Sequence, residues 1–334
     1  MANLVLTKLG RFRPALTRTG PRNIHIMAQE ARLEALLAGK LLFFERLRTH
    51  AESLGIHVHA YDLRGGAAQL DRAPDDLHLL VTDRPGFAPG TLFTTPHYLN
   101  GYWYCDEVAT RHNSTLRLLP FNPAEIDAEA ANALLERLKR KFIGNNRSKF
   151  DQSHRDENLP KDLIAIFTQE IHPADQNVIH VDLMTMIETV LTHRDGRPVY
   201  IKPHPLQSDA VRRQLMQHHN PANGVIVGDA SIHDILANAS LCVTQTSAVA
   251  FEGFVHQVPA VLCGQTDFHH NGVTARSAGQ IPQAMAMATA QDWPYAAYLY
   301  WHLETQCLAP RAPDFLERLC ARITAKGFDL PPPR

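Results

Sequence analysis

Three short stretches in the second half of the chain combine residue types that can hold or transfer a charged group. The first is Lys202-Pro203-His204-Pro205, directly after the apolar Val199-Tyr200-Ile201. Prolines on both sides keep the backbone extended and fix the direction of the imidazole. Such a histidine can donate to a phosphate or carboxylate, and Lys202 adds positive charge; the plainer reading is a histidine that caps a turn. The second is Thr244-Gln245-Thr246-Ser247, followed by Ala248-Val249-Ala250-Phe251-Glu252-Gly253. Hydroxyls between a strand end and a helix start are N-cap residues by default. The same place offers backbone N–H groups and the positive end of a helix dipole to a phosphate. Glu252 either reaches a ribose hydroxyl from the early turns of that helix or is a solvated helix residue. The third runs from Gln169 through Glu170 and Asp175 to Asn177. A carboxylate in this loop can attack or stabilise an anomeric carbon; otherwise it is a polar surface loop. In the first half, Asp106-Glu107 follow the aromatic-rich Tyr98–Tyr104. An acid there can serve as general base toward an acceptor hydroxyl, although surface acids far outnumber catalytic ones.

Other chemistries find little support. Neither a GxxxxGK[ST] nor a GxGxxG pattern is present, which speaks against an ATPase or a dinucleotide enzyme. Among 19 histidines, the adjacent pairs His218-His219 and His269-His270 are expected to diverge and chelate poorly, and no HExxH occurs. No metal or other cofactor is expected. A net charge of -1 argues against a nucleic-acid partner. The five cysteines are odd in number and form no CxxC, and Cys242 and Cys263 sit inside apolar runs. This pattern fits reduced thiols in a cytoplasm better than a disulfide framework. No run of about 18 apolar residues could span a bilayer, and Met1–Gly10 lacks the apolar stretch of a signal peptide. The first 22 residues carry Lys8, Arg11, Arg13, Arg18 and Arg22 and no acid. They read as a solvated start, with a peripheral patch for an anionic membrane or acceptor as the sharper alternative.

The elements that must position these residues follow from apolar spacing. With 334 residues, 45% hydrophobic and 20% charged, the chain suggests two domains at roughly 100–200 residues each, with one large domain as the alternative. Glu30–Leu54 reads as one helix ended by Gly55, followed by strands at Ile56–Tyr61 and Leu77–Thr82. Pro123–Ile143 reads as a further helix. Asn145–Pro160 is polar and aperiodic, and is expected to link a domain at 1–150 to one at 160–330. Beyond it, strands at Asp162–Phe167, Pro198–Lys202, Gly224–Val227, Leu241–Thr244 and Ala260–Cys263 alternate with helices at Val181–Leu191, Ser208–His218, Ser231–Asn238 and Ala248–Val255. The tail from Ile281 reads as helical. This alternation implies parallel βαβ units and a Rossmann-like sheet, with ligands beyond the carboxyl ends of its strands.

Taken in order, Val199–Pro205, Asp234-Ile235-Leu236, Val243–Gly253 and Val258-Pro259-Ala260-Val261 resemble the capsule-polysaccharide synthesis glycosyltransferases. The similarity covers about Asp162–Gln280 well and is looser around Gly101–Asp106. Within the family it is greatest to the retaining β-Kdo transferases, which use CMP-Kdo. The resemblance implies an α/β chain of the GT-B fold: two Rossmann-like domains facing across a cleft, with the donor in the C-terminal one and helices at the end. It implies that His204 and Ser247 hold the cytidine-phosphate group, with Thr246 and Glu252 nearby, Lys202, Pro205 and Gln245 in the same donor site and Gln169 opening the acid-bearing loop. Asp175 would be the nucleophile, with Glu170 competing for the role because the spacing from Gln169 is longer than in the family. Glu107 or Asp106 would be the base, in the two-carboxylate logic of glycoside chemistry. The partners implied are CMP-Kdo and a saccharide or glycolipid acceptor, in capsule or lipopolysaccharide synthesis at the cytoplasmic side of the inner membrane. The same C-terminal motifs also resemble CDP-glycerol phosphotransferases of teichoic acid synthesis, but phosphoryl transfer needs no carboxylate nucleophile. A non-catalytic nucleotide-sugar-binding assembly partner is the reading outside enzymes.

Overall fold

Along β1 (Asn23–Ala28), Ile24, Ile26 and Ala28 alternate with His25 and Met27, so one face of the strand is wholly apolar. That face continues through Val58 and Ala60 of β2 (His57–Asp62) and Leu77, Leu79 and Val81 of β3 (Leu77–Val81). The computed structural model describes residues 22–63, 75–153, 155, 158–169 and 173–333; for Glu30 and residues 173–175 it describes the backbone only. It contains two compact α/β units. The first sheet adds β4 (Thr91–Pro96) and β5 (Trp103–Asp106) in the order β2-β1-β3-β4-β5, parallel except for the β4–β5 pair. Its apolar face is covered by α1 (Glu30–Leu37) and α2 (Leu42–Ser53).

The single helix expected over Glu30–Leu54 is therefore two. Gly39 adopts a left-handed φ of 66°, and the amides of Gly39 and Lys40 bond back to Leu36 and Ala35 carbonyls at 3.0 and 2.9 Å. This is the closed C-terminal turn that glycine permits without a Cβ clash.

The second sheet begins at β6 (Leu163–Phe167) and β7 (Val199–Lys202), joined by α4 (Leu183–Thr192). After α5 (Asp209–Met216) come β8 (Val225–Val227) and α6 (Ile232–Ala237). Then follow β9 (Ala239–Thr244), α7 (Val249–Val255), β10 (Ala260–Leu262) and β11 (Val273–Thr274). All six strands are parallel, in the order β11-β10-β9-β6-β7-β8. Counted from its own first strand this is the doubly wound order of a Rossmann sheet, which reverses direction between β6 and β9. Ile164, Ile166, Val199, Ile201, Leu241 and Val243 form its core with Met186, Ile187 and Val190 of α4. The expectation of two Rossmann-like α/β domains is met.

The units do not follow the expected division at 150–160. The second comprises Leu119–His302 with Tyr98–Asn100; the first takes in Gly101–Leu118 and the chain from Leu303 onward. The reason is packing. The helix expected over Pro123–Ile143 is α3 (Ala128–Leu138), preceded by a 3-10 turn at Pro123–Glu125 and continued to its expected end by a π-helical turn at Lys139–Ile143; it packs on α9 (Tyr295–Tyr300), which follows α8 (Ile281–Ala290), with Phe121 set edge-on to Tyr298 at 5.2 Å. The last helix, α10 (Phe315–Ala325), returns to the first sheet, where Phe315 meets Phe43 at 5.2 Å and joins Leu319 and Ile323 in the core. The Asn145–Pro160 segment is likewise no interdomain linker: both of its ends lie inside the second unit. Lys8, Arg11, Arg13 and Arg18 lie outside the described residues, whereas Arg22 bonds the Gly327 carbonyl at 3.4 Å. Among the described residues no helix is long and apolar enough to cross a membrane. All five cysteines are buried free thiols, as the apolar runs around Cys242 and Cys263 imply for those two.

Candidate functional site

The loops that leave β6, β7 and β9 come together at the point where the second sheet reverses. Thr168, just past β6, ties two of them. Its hydroxyl accepts from the His204 amide at 3.2 Å and donates to Gln207 Oε1 at 2.9 Å, while its amide bonds the Lys202 carbonyl at 3.1 Å. The third loop joins through Thr244, whose hydroxyl donates to the Phe167 carbonyl at 2.7 Å. Beside this junction lies a cavity of about 410 Å³. Gln169, Gln176, His180, Asp182, Gln207 and Gln245 supply its polar lining.

His204 caps the turn that follows it, which is the plainer of the two sequence readings. The ring's Nδ1 accepts the Leu206 amide at 3.1 Å, so in the neutral ring the proton sits on Nε2 and makes that nitrogen a donor. The ring stands edge-on to Phe150 at 5.2 Å. Lys202 is turned elsewhere: its ammonium bonds the Ala230 carbonyl at 2.8 Å, and burial lowers its pKa despite Asp229 nearby. Pro205 is exposed.

In the loop after β9, the Ser247 hydroxyl accepts the Val249 amide at 3.3 Å from one position ahead of Ala248, the N-cap of α7, and so supports the helix start. Gln245 is buried and donates its amide to the Val181 carbonyl at 2.8 Å. Thr246 packs against Gly264. A Cβ there would stand 2.7 Å from Thr246 Cγ2 and 3.0 Å from the Gln245 and Val178 carbonyl oxygens. Only a glycine lets these three chain segments approach so closely. The amides of His180 and Val181 close the same seam on the Cys263 carbonyl at 3.0 and 3.2 Å.

The polar segment after α3 forms a strap over this half of the unit. Asn146 accepts from the Ser231 hydroxyl at 2.6 Å, Gln152 accepts the Ile232 amide at 3.0 Å, and Arg155 pairs with Asp234 at 2.6 Å. Ser148 donates to Glu252 Oε1 at 2.9 Å. Glu252 is 3% exposed, and its Oε2 has no partner among the described residues. It is therefore no solvated helix residue. Burial raises its pKa to about 8, against the lowering effects of Ser148 and Lys149. Below the strap, His233 bonds the Arg147 carbonyl at 2.9 Å and His256 at 3.0 Å.

The remaining acids separate. Asp106 accepts at Oδ1 from the Val108 and Ala109 amides and at Oδ2 from the Thr115 amide and hydroxyl, all at 2.7–3.0 Å. Both oxygens are committed to holding their own loop. Glu107 is exposed and pairs with Lys326. Asp175 lies on the short 3-10 turn Pro173–Val178, and Glu170 lies outside the described residues. His269 and His270 do not diverge: on their 3-10 turn the rings stack at 4.1 Å, each bonded to a backbone carbonyl.

Motif reading passed over Gln207, His180 and Asp182. Gln207 carries a usable signal, because it follows the His204-Pro205 pair in a strand-end loop. His180 is half-buried, and burial together with Arg276 lowers its pKa, so the ring is neutral at pH 7. Asp182 accepts the Thr185 amide at 3.0 Å as the N-cap of α4, and this bonding lowers its pKa.

Comparison with known proteins adds the following. The chain is similar in structure to the beta Kdo 2,4 transferase of Thermosulfurimonas dismutans KpsC, with 14% identity, TM-score 0.49, and coverage of 82% of this chain and 88% of that one. The beta Kdo 2,7 transferase of the same KpsC gives 12% identity and TM-score 0.48 over 83% and 89%. A UDP-GlcNAc 2-epimerase of Methanocaldococcus jannaschii gives 8% identity and TM-score 0.38 over 85% and 99%. A search of curated proteins finds no match. The family model for capsule polysaccharide biosynthesis proteins matches residues 125–309, more than half of the 334 residues. The chain thus belongs to the capsule polysaccharide biosynthesis protein family.

Proposed function

We propose that the protein is a glycosyltransferase that moves Kdo from CMP-Kdo to a saccharide or glycolipid acceptor, with retention, in capsule or lipopolysaccharide synthesis at the cytoplasmic side of the inner membrane. One observation carries this reading: Gln169, His204 and the Gln245–Ser247 loop meet at the reversal point of a doubly wound sheet, tied through Thr168 and Thr244. That is where such sheets bind nucleotides. The Nε2–H of His204 and the hydroxyls of Thr246 and Ser247 are assigned to the donor phosphate, and Glu252 to the ribose side of the pocket.

In the proposed reaction the Asp175 carboxylate attacks the anomeric carbon as its bond to the CMP phosphate oxygen breaks. The acceptor hydroxyl then displaces Asp175 and gives its proton to a base, so two inversions leave the configuration retained. Glu107 is the base in this scheme, because Asp106 already accepts from four donors of its own loop. No metal is required by any step.

The test is Asp175→Ala with CMP-Kdo and an acceptor, followed by release of CMP and by mass spectrometry of the protein for a Kdo adduct. Transfer is expected to fall by about 10³-fold or more. A variant that transfers near the wild-type rate would remove Asp175 from the mechanism.

A further inference from the structure

The cavity beside the junction has a donor and acceptor pattern that the phosphate-binding reading leaves unused. Gln207 is buried and spends Oε1 on the Thr168 hydroxyl. Its Nε2 therefore offers two protons, and no described residue accepts them. Gln245 is the mirror case. Its Nε2 is spent on the Val181 carbonyl, which leaves its Oε1 as an acceptor without a described partner. His180 stands in the same wall, held by its own amide on the Cys263 carbonyl, and its ring has no hydrogen-bond partner among the described residues. A neutral imidazole brings one donor and one acceptor.

Amide donor, amide acceptor and a two-way imidazole suit groups that both donate and accept, which hydroxyls do. The acceptors of the set, Gln245 Oε1 and the unprotonated imidazole nitrogen, have no use for a phosphate, which accepts only. The ammonium of Lys202, which would serve an anion, is turned to the Ala230 carbonyl. A volume of about 410 Å³ lies within the roughly 300–1,000 Å³ of small-ligand sites.

We infer that this cavity seats the hydroxyl-bearing sugar of the donor, and that His180 and Gln207, with Gln245, are specificity residues that read those hydroxyls. The inference rests on the donor-site reading above for the identity of the nucleotide, but not for the chemistry of the cavity. His204 and Ser247 would take the phosphate, and the sugar would turn toward β6 and the start of α4.

The experiment uses the full chain and the variants Gln207→Glu and His180→Asn. Gln207→Glu keeps the oxygen that accepts from Thr168 and removes only the donor amide. Calorimetry measures CMP and CMP-Kdo, and ligand-observed NMR measures a panel of free Kdo, N-acetylglucosamine and galactose. CMP affinity should stay within about twofold, while each variant should lose about tenfold or more for CMP-Kdo and for any free sugar that binds the wild type. Equal losses for CMP and CMP-Kdo would overturn the inference, because the cavity would then hold the nucleotide. So would unchanged CMP-Kdo and sugar binding, or a wild type that binds no sugar in either form. Sugar binding that depends on both residues without any CMP binding would sustain the inference and sink the CMP-Kdo reading instead.

Discussion

The Ser148 hydroxyl donates to Glu252 Oε1 at 2.9 Å across 104 residues of sequence, and it does so over a carboxyl that is 3% exposed. The strap thus closes over an acid that folding holds protonated, since burial lifts its pKa to about 8 from an ordinary 4.5. An unfolded chain releases that proton near pH 4.5, so between pH 4.5 and 8 the folded state holds the extra proton. Stability from this group is therefore lost as pH rises through that window. Glu252→Gln keeps an acceptor for Ser148 and does not titrate. Denaturant unfolding from pH 5 to 9 should show wild type losing stability relative to the variant by on the order of a few kcal/mol. A difference that stays flat with pH would mean that Glu252 is ionised in the folded protein.

A second pair under the strap acts at the acid end. The Arg147 carbonyl can only accept, so His233 Nε2 carries the proton toward it and His233 Nδ1 accepts from His256 Nε2. Both rings are neutral in this chain of bonds. Burial, then His233 and Arg155, lowers the His256 pKa to about 3. A depressed histidine pKa means that the unfolded state binds the proton first, so stability falls as pH drops below about 6.5. His256→Gln can still donate to His233 and should flatten the acid limb between pH 6.5 and 4.5 by about one proton's worth of slope. An unchanged limb would place the acid sensitivity elsewhere.

The two findings show what local pattern can and cannot carry. The apolar runs LIAIF and LCVT and the His204 and Thr246 loops could be read in place, because a buried parallel strand and its carboxyl end are local features. The reach of Ser148 to Glu252 could not, since nothing in Asn145–Pro160 repeats and its partners lie on α6 and α7. Phe315, Leu319 and Ile323 mark an amphipathic helix, but their spacing does not say which sheet they cover. The strand β4 escaped notice because Thr91, Thr94 and Thr95 look solvent-facing and are buried instead. Gln207 could be placed in a strand-end loop, but its role could not be read there, since it depends on a hydroxyl 39 residues earlier.

Asp106 allows a clean separation of structural from catalytic loss. Its two oxygens receive two backbone amides on one side and the Thr115 amide and hydroxyl on the other. Asp106→Ala leaves these donors in need of water or new partners, a loss of about 2–4 kcal/mol. Asp106→Asn keeps some of the acceptor capacity and should lose less. The same ranking should appear in thermal melting and in activity, with activity recovering at lower temperature. Full stability of Asp106→Ala with abolished transfer would instead make this carboxylate the base.

Gly264 offers the sharpest test of the loop geometry itself. A Cβ at this position would meet Thr246 Cγ2 at 2.7 Å and two carbonyl oxygens, of Gln245 and Val178, at 3.0 Å. The methyl contact could ease by turning the threonine, but the carbonyls belong to backbone that is itself paired: the Gln265 amide bonds Val178 O at 2.7 Å. Gly264→Ala must therefore push the 178–180 segment and the Gln245-Thr246 turn apart by a few tenths of an ångström. Overpacking of this kind costs about 1–3 kcal/mol. Because the displaced turn also carries Gln245, Thr246 and Ser247, ligand binding should weaken along with stability. Calorimetry with CMP and a denaturant titration on the same preparation would report both. Loss of stability with unaltered ligand affinity would show that the seam is structural alone, and that the Gln245–Ser247 turn takes no part in holding the ligand.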